Sequence, residues 1–285
     1  MTKYKDILFK TAVILSGACV IVVTIFIFGY VFFMGFQSVD MNFITDRPRG
    51  IPLGTEGGVF PAIMGTIYLG ALSGLMAGIV GSVTAIFLVF YCRNKYLKGI
   101  INASTYFLSG MPSILFGIAG YTVLIHKLGF PYSLLTAGIT VSIMIVPFIT
   151  IRITKAFKED TLDLLNSSLC LGLPKWYIMR KLILPHYLIN ILASITLGMA
   201  YGAGAAAPVM FTGAVIFAET SGNLTQPFMS LSYHLFILVN EGISLKNAYG
   251  SALLLMLLLL GANTTCRLLE HFREGADWRF GKGKR

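Results

Sequence analysis

Charge is scarce in this chain: Asp, Glu, Lys and Arg make up only 12% of its 285 residues, against roughly a quarter in ordinary soluble domains. So little charge cannot cover a surface that faces water on every side. With 56% hydrophobic residues and a mean hydropathy of +0.78, lipid must supply part of the solvent. Cysteine is scarce as well. Cys19, Cys92, Cys170 and Cys266 lack metal-ligand spacing, which excludes a zinc or cluster framework and leaves free thiols. His126, His186, His234 and His271 have no carboxylate or cysteine partner near them in sequence. They are expected at helix ends or interfaces, and neither a metal nor a cofactor is expected.

What is there is a set of long apolar runs. Six can cross a hydrocarbon core, which takes about 20 residues: Thr11 to Phe36, Pro61 to Tyr91, Ile100 to Ile125, Pro131 to Ile151, His186 to Phe217 and Ala248 to Cys266. The chain is thus expected to be an all-α membrane protein. The first run follows Lys3 and Lys5 as a signal peptide would. It is far longer than an h-region of roughly 7–15 residues and has no A-x-A site after it, so it reads as a retained span. None of the six cores holds Asp, Glu, Lys or Arg. Proton-coupled carriers and voltage sensors need ionisable groups at depth, so both are excluded and any energy source is expected outside this polypeptide.

The net charge of +10 does not point to nucleic acid, because the basic residues flank apolar runs and form no aromatic-interleaved patch. Their placement instead sets a topology. With both termini in the cytoplasm, only Arg47, Arg49, Lys127 and Lys246 of the 22 Lys and Arg residues fall outside, as the positive-inside rule requires. Residues 37–60 then form an irregular outer link, and Pro227 to Val239 an interfacial helix too short to span.

Small residues and prolines interrupt the runs. Gly70, Gly74 and Gly78 stripe one face of the second run, with Gly81 nearby, which suits either close helix packing or a pore lining. Pro112, followed by Ser113, breaks the third run; the freed carbonyl fits a substrate path or a passive bend. Gly204-Ala205-Ala206-Ala207-Pro208 should weaken the fifth near mid-depth. A broken helix there exposes amides that can hold an anion, with Thr212 adding a hydroxyl, or it packs against a partner subunit. Pro112, Ser113, Gly204, Ala205, Pro208 and Thr212 are the candidate translocation path.

Arg152 to Pro185, between the fourth and fifth runs, is too long for a mere connection. Leu162, Leu165 and Leu169 recur at helical spacing on an element expected to start near Asp160-Thr161. Gly172 stops it, and Pro174 opens a second helix. Such a helix either rests on the membrane or docks into a groove on a soluble partner.

Gly172, nine residues, then Leu182-Ile183-Leu184-Pro185 resembles the E-A-A-x3-G-x9-I-x-L-P loop of ATP-binding-cassette importer permeases, with Asn166-Ser167-Ser168 at the E-A-A positions. Glu56 to Thr66, Phe107 to Gly117, Ala207 to Ala214, Pro227 to His234 and Ala248 to Leu253 resemble, in order, stretches of the PstA-type permease of phosphate importers. The resemblance implies a type I importer fold and the cell membrane. It also implies a homologous permease partner, two ATP-binding-cassette ATPase subunits and an extracytoplasmic phosphate-binding protein. ATP hydrolysis would lie on a separate subunit. The implied coupling element is Leu162, Leu165, Asn166, Ser167, Ser168, Leu169 and Gly172, with Pro185 anchoring the return into the fifth span. The implied division is residues 1–60 as first helix and outer loop, 61–272 as permease domain and 273–285 as basic tail. Where the family commonly has Gly-Glu-Thr-Ala-Pro, this chain has Gly204-Ala205-Ala206-Ala207-Pro208, so another oxyanion or small solute stands beside phosphate as cargo. A passive channel leaves the loop without a purpose, and an enzyme lacks a buried carboxylate pair or a nucleophile with its base.

Overall fold

A computed structural model describes residues 2–218 and 223–279, with the side chains of 2–5, 159, 160, 162, 163, 269, 270 and 272–279 left aside. The chain begins with α1 (Thr2–Phe36), a short helix α2 (Met41–Thr45) and a two-residue hairpin of β1 (Pro48–Arg49) and β2 (Glu56–Gly57). Next come α3 (Phe60–Ile86), running on as a π-helical turn over Phe87–Tyr91, then α4 (Lys95–Ser109) and α5 (Ser113–Gly120), the last extended by a π turn over Tyr121–Lys127. α6 (Leu134–Cys170), α7 (Lys175–Tyr177), a π turn at Ile178–Ile183 and α8 (Leu184–Ala203) form the centre. α9 (Ala207–Met210), α10 (Leu231–Asn240) and α11 (Leu245–Arg279) complete the order.

Among the described residues, five helices are long and apolar enough to cross a membrane, and six if α4 and α5 count as one span. Those two meet at 102°. The third apolar run is therefore a sharply broken pair and not the single kinked span expected. Gly110 caps α4, and Pro112, which has no N–H to continue the ladder, caps α5.

The core is α3 laid against α6 and α8. Lipid tails are as apolar as leucine, so helices associate there by close packing and not by escape from water. The glycine stripe supplies that closeness. A Cβ at Gly70 would sit 3.0 Å from the Met199 carbonyl oxygen, and one at Gly74 3.0 Å from the Met199 Cα. At Gly78 it would meet Ile195 Cγ1 at 2.7 Å, and at Gly81 Ile149 Cγ2 at 3.0 Å. Of the two roles open to the stripe, helix packing is the one seen. On α6 the facing residues Ile145, Ile149, Ile153 and Phe157, four apart, are fully or almost fully buried. Phe157 also meets Phe90 and Tyr187 edge-on, with ring centroids 5.2 and 5.3 Å apart, which ties the basic ends of α3, α6 and α8 together. α1 stands apart with an exposed apolar surface. It touches α11, where Gly35 lets it approach Tyr249 and Leu253.

At the opposite end, α10 tucks Leu231, Ser232, His234, Ile237 and Leu238 inward. Ser230 caps it by accepting from the Tyr233 amide. Thr66 on α3 donates to the Ala62 carbonyl and accepts from the Leu231 amide at 2.8 Å, which fixes the start of α10 to the core. His234 thus stands near a helix end, one of the two places expected, and is buried there. Burial without a counter-charge lowers its pKa from the ordinary 6.5 to about 4.

Two outcomes follow from these contacts. Gly74→Leu should lose about 1–3 kcal/mol of stability or more, whereas Gly17→Leu in α1, where a Cβ meets nothing within 4 Å, should be silent; thermal unfolding in detergent separates them. His234 binds a proton more readily unfolded than folded. The stability owed to its neutral form is complete above about pH 6.5 and is lost as pH falls toward about 4, up to about 3 kcal/mol. His234→Gln should flatten the unfolding temperature across that window.

Candidate functional site: a turn at the basic end and a cavity beneath the helix break

α6 continues without interruption from the fourth apolar run to Cys170. The separate helix expected to start near Asp160-Thr161 does not exist. Lys155 to Asp160 interrupts the hydropathy, but Lys, Glu and Ala are good helix formers and no Gly or Pro lies between Pro147 and Gly172. The buried Thr161 hydroxyl donates to the Phe157 carbonyl inside the same helix.

The stop at Gly172 is where the sequence places it. Its φ of +75° is a conformation glycine adopts freely. The Gly172 amide donates to the Leu169 carbonyl at 3.0 Å and the Leu173 amide to the Ser168 carbonyl at 3.3 Å, the paired bonds of a Schellman end. Pro174 then caps α7. Lys175 Nζ donates to the Phe90 carbonyl in the π turn that ends α3, and lies 5.0 Å from the Tyr91 ring centroid. The turn is therefore clamped to a second helix. Pro185 sits in the first turn of α8; the π turn just before it absorbs the amide proline lacks.

Of the leucine face expected, Leu169 is exposed at the tip and Leu165 is not. Leu165 is buried in the chain's own core, Ser168 is buried beside it, and the Leu162 side chain lies outside the described residues. Leu169, Leu171 (79% exposed), Trp176 (62%) and Tyr177 face outward with Asn166 and Ser167, and Arg180 lies against the Trp176 ring.

The translocation candidates divide. α8 closes after Ala203, so the fifth span ends there and does not reach Phe217. The break between α8 and α9 follows the last residue of the apolar helix Lys175–Ala203. α9 packs on α5: a Cβ at Gly117 would lie 2.9 Å from Pro208 Cα. Pro112, Ser113 and Gly204 are exposed, while Ala205, Pro208 and Thr212 are buried. The Thr212 hydroxyl donates to the Pro208 carbonyl at 2.8 Å, and the Ala205 carbonyl accepts from Ser232 at 3.1 Å. Both groups are thus hydrogen-bonded within the chain's own packing.

Beneath the α4–α5 break is a cavity of about 300 Å³ lined by Ser109, Met111, Phe116, Met144, Phe148, Arg152 and Tyr201, among others. Phe148 stacks on Tyr201 with centroids 5.9 Å apart. Arg152 also lines a second cavity, of about 560 Å³, with Asn263, Thr264 and Arg267 between α8 and α11. The sequence reading assigned Arg152 to a loop and missed it. The signal was its spacing: Met144, Phe148 and Arg152 are four apart and share one face of α6.

Residues 77–266 match the family of the binding-protein-dependent transport system inner membrane component. The chain belongs to this family. The matched residues lie within 61–272. The permease is 23% identical over 271 residues to a probable ABC transporter permease protein, YqgI, of Bacillus subtilis, covering 90% of this chain and 91% of that protein. It is 29% identical over 210 residues to the phosphate transport system permease protein PstA 2 of Mycobacterium bovis, covering 73% of this chain and 69% of the relative. Among solved structures it resembles an inward-facing MetNI methionine ABC transporter, with a TM-score of 0.60 and 16% identity over 74% of this chain and 94% of that one. That likeness establishes the type I importer permease fold. The chain is accordingly a multi-pass plasma-membrane transport subunit and not an enzyme.

Gly172→Trp should insert into the membrane normally, since a Cβ there meets nothing within 4 Å. The turn itself would be strained by about 1–2 kcal/mol, and transport should be abolished; fractionation and uptake on the same cells read both.

Proposed function

We propose that this permease carries inorganic phosphate inward by alternating access, driven by ATP hydrolysed on two partner ATPases and paired with a second, homologous permease. In this reading both termini and the basic tip lie in the cytoplasm, and an extracytoplasmic phosphate-binding protein delivers the cargo. The basic flanks of the apolar runs support that orientation. The PstA and PstC names of several relatives support phosphate.

The observation that carries the proposal is one helix. α6 joins the exposed tip at Leu169 and Leu171 to the cavity containing Arg152. An ATPase groove that grips Leu171, Trp176 and Tyr177 moves α6 and α8 together, because the turn between them is bonded closed. The motion arrives at the cavity without a flexible joint. Arg152 supplies a fixed cation at the inner end of the path, in addition to the backbone amides and the Thr212 hydroxyl expected to hold the anion. A guanidinium matches a tetrahedral oxyanion with two parallel donors. At the rim of a cavity it holds the anion loosely enough for transit.

Labelled phosphate uptake by the full assembly should resist excess sulfate and molybdate. Arg152→Gln should raise the KM for phosphate about tenfold, the loss of roughly one charged hydrogen bond, with the assembly intact on purification. Equal competition by sulfate would assign the same machine to another oxyanion.

A further inference from the structure

α1 and α11 meet where Gly35 faces Tyr249 and Leu253, and where the Tyr30 and Tyr249 rings cross edge-on. Beyond that contact the two helices leave an apolar groove of about 390 Å³ between them. Ile27 and Val31 stand on its α1 wall, Ala252, Met256 and Leu260 on its α11 wall, and Asn263 is the last α11 residue to line it. Nothing in the transport mechanism uses this groove. From Ala252 to Asn263 it follows α11 for about 16 Å at 1.5 Å per residue. That is close to one leaflet of a hydrocarbon core about 30 Å thick.

Asn263 is the telling residue. It is exposed inside the apolar span Leu245–Leu268, and its amide finds no hydrogen-bond partner among the described residues. Its neighbours Thr264 and Thr265 each donate to a carbonyl four residues back. An amide turned toward lipid tails without a partner is costly. Arg267, exposed one turn further on, marks the level where this span reaches the headgroups. The groove shares Leu260 and Asn263 with the cavity lined by Thr264 and Arg267, so it is apolar along its length and polar at one end. We infer that the groove is a binding site for one phospholipid molecule. An acyl chain lies between α1 and α11, and the ester carbonyl at its head accepts from the Asn263 amide. Zwitterionic and anionic phospholipids share that ester, so the site calls for no free cation and does not read headgroup charge. The lipid seats α1, whose apolar span is otherwise unburied. The inference rests on neither the cargo nor the orientation proposed above.

The test measures binding and not transport, so it can fail while phosphate import stands, and the reverse. The full chain, purified in mild detergent, is given micelles of phosphatidylcholine or phosphatidylglycerol, and retained lipid is counted by native mass spectrometry. One phospholipid per chain is expected, with the two headgroups retained alike. Asn263→Leu keeps the bulk and removes only the amide; it should cut retention about fivefold, the loss of one hydrogen bond. Because Asn263 is exposed, that replacement disturbs no packing. Met256→Trp fills the groove and should abolish retention, whereas Leu15→Trp on the exposed surface of α1 should leave it unchanged. In native membranes, phosphatidylcholine with a photoreactive acyl chain should label the peptide containing Ala252 to Asn263. Labelling in micelles but not in native membranes would mean that a protein helix, such as one of the second permease, covers the groove, and would overturn the inference. Unchanged retention in both Asn263→Leu and Met256→Trp, or a strong preference for one headgroup, would overturn it too.

Discussion

The permease depends on one constraint: α3 must approach α6 and α8 closely enough for backbone to touch side chain. In lipid no hydrophobic gain drives that approach, so surface fit, with the Thr150 hydroxyl of α6 reaching the Gly81 carbonyl at 3.4 Å, holds the helices together. Gly70, Gly74, Gly78 and Gly81 create the fit on α3, and Met199, Ile195 and Ile149 fill it. The remaining architecture is hung on this trio. Thr66 of α3 bonds the first residue of α10, and at the other end Phe157 packs on both Phe90, just past α3, and Tyr187. A trio so packed moves as a body, which is what a helix must do if a push at one end is to be felt at the other.

Transmission then needs no hinge in the middle of α6. Its 37 residues correspond to about 55 Å of helix at 1.5 Å per residue, more than the hydrocarbon core requires. The excess projects as the tip. The Schellman turn at Gly172 and the Lys175 bond to Phe90 join that tip to α8 and α3. In the function proposed above, cargo chemistry sits elsewhere, at Arg152, where the same helix borders the cavity. Separating grip from cargo site along one rigid rod fits a subunit whose energy is supplied from outside.

Much of this was legible in the residues. The second span, Pro61 to Tyr91, matches α3 with its π turn, since an unbroken apolar run and a helix coincide when nothing interrupts either. Gly172 and Pro174 marked the turn because their backbone preferences are local. Three features escaped for physical reasons. Hydropathy reports contact with lipid, not helix continuity, so the polar stretch Lys155 to Asp160 looked like an end when α6 ran straight through it. The size of the bend at Gly110 to Pro112 is set by tertiary packing of α5 on α9 and α6, not by the proline alone. Which of Leu165 and Leu169 faces inward depended on where α8 and its π turn lie, and a single helix's periodicity cannot contain that. Arg152 was hidden by the same assumption that placed the end of a span at Ile151.

The central claim is that this polypeptide is moved and does not itself drive transport. Its most direct test is accumulation of labelled phosphate by proteoliposomes containing the purified chain without ATPase subunits. The account predicts no concentration of phosphate above the outside level, with or without ATP or an ion gradient, until the partner permease, the ATPases and the binding protein are restored. Accumulation by the lone chain would contradict it.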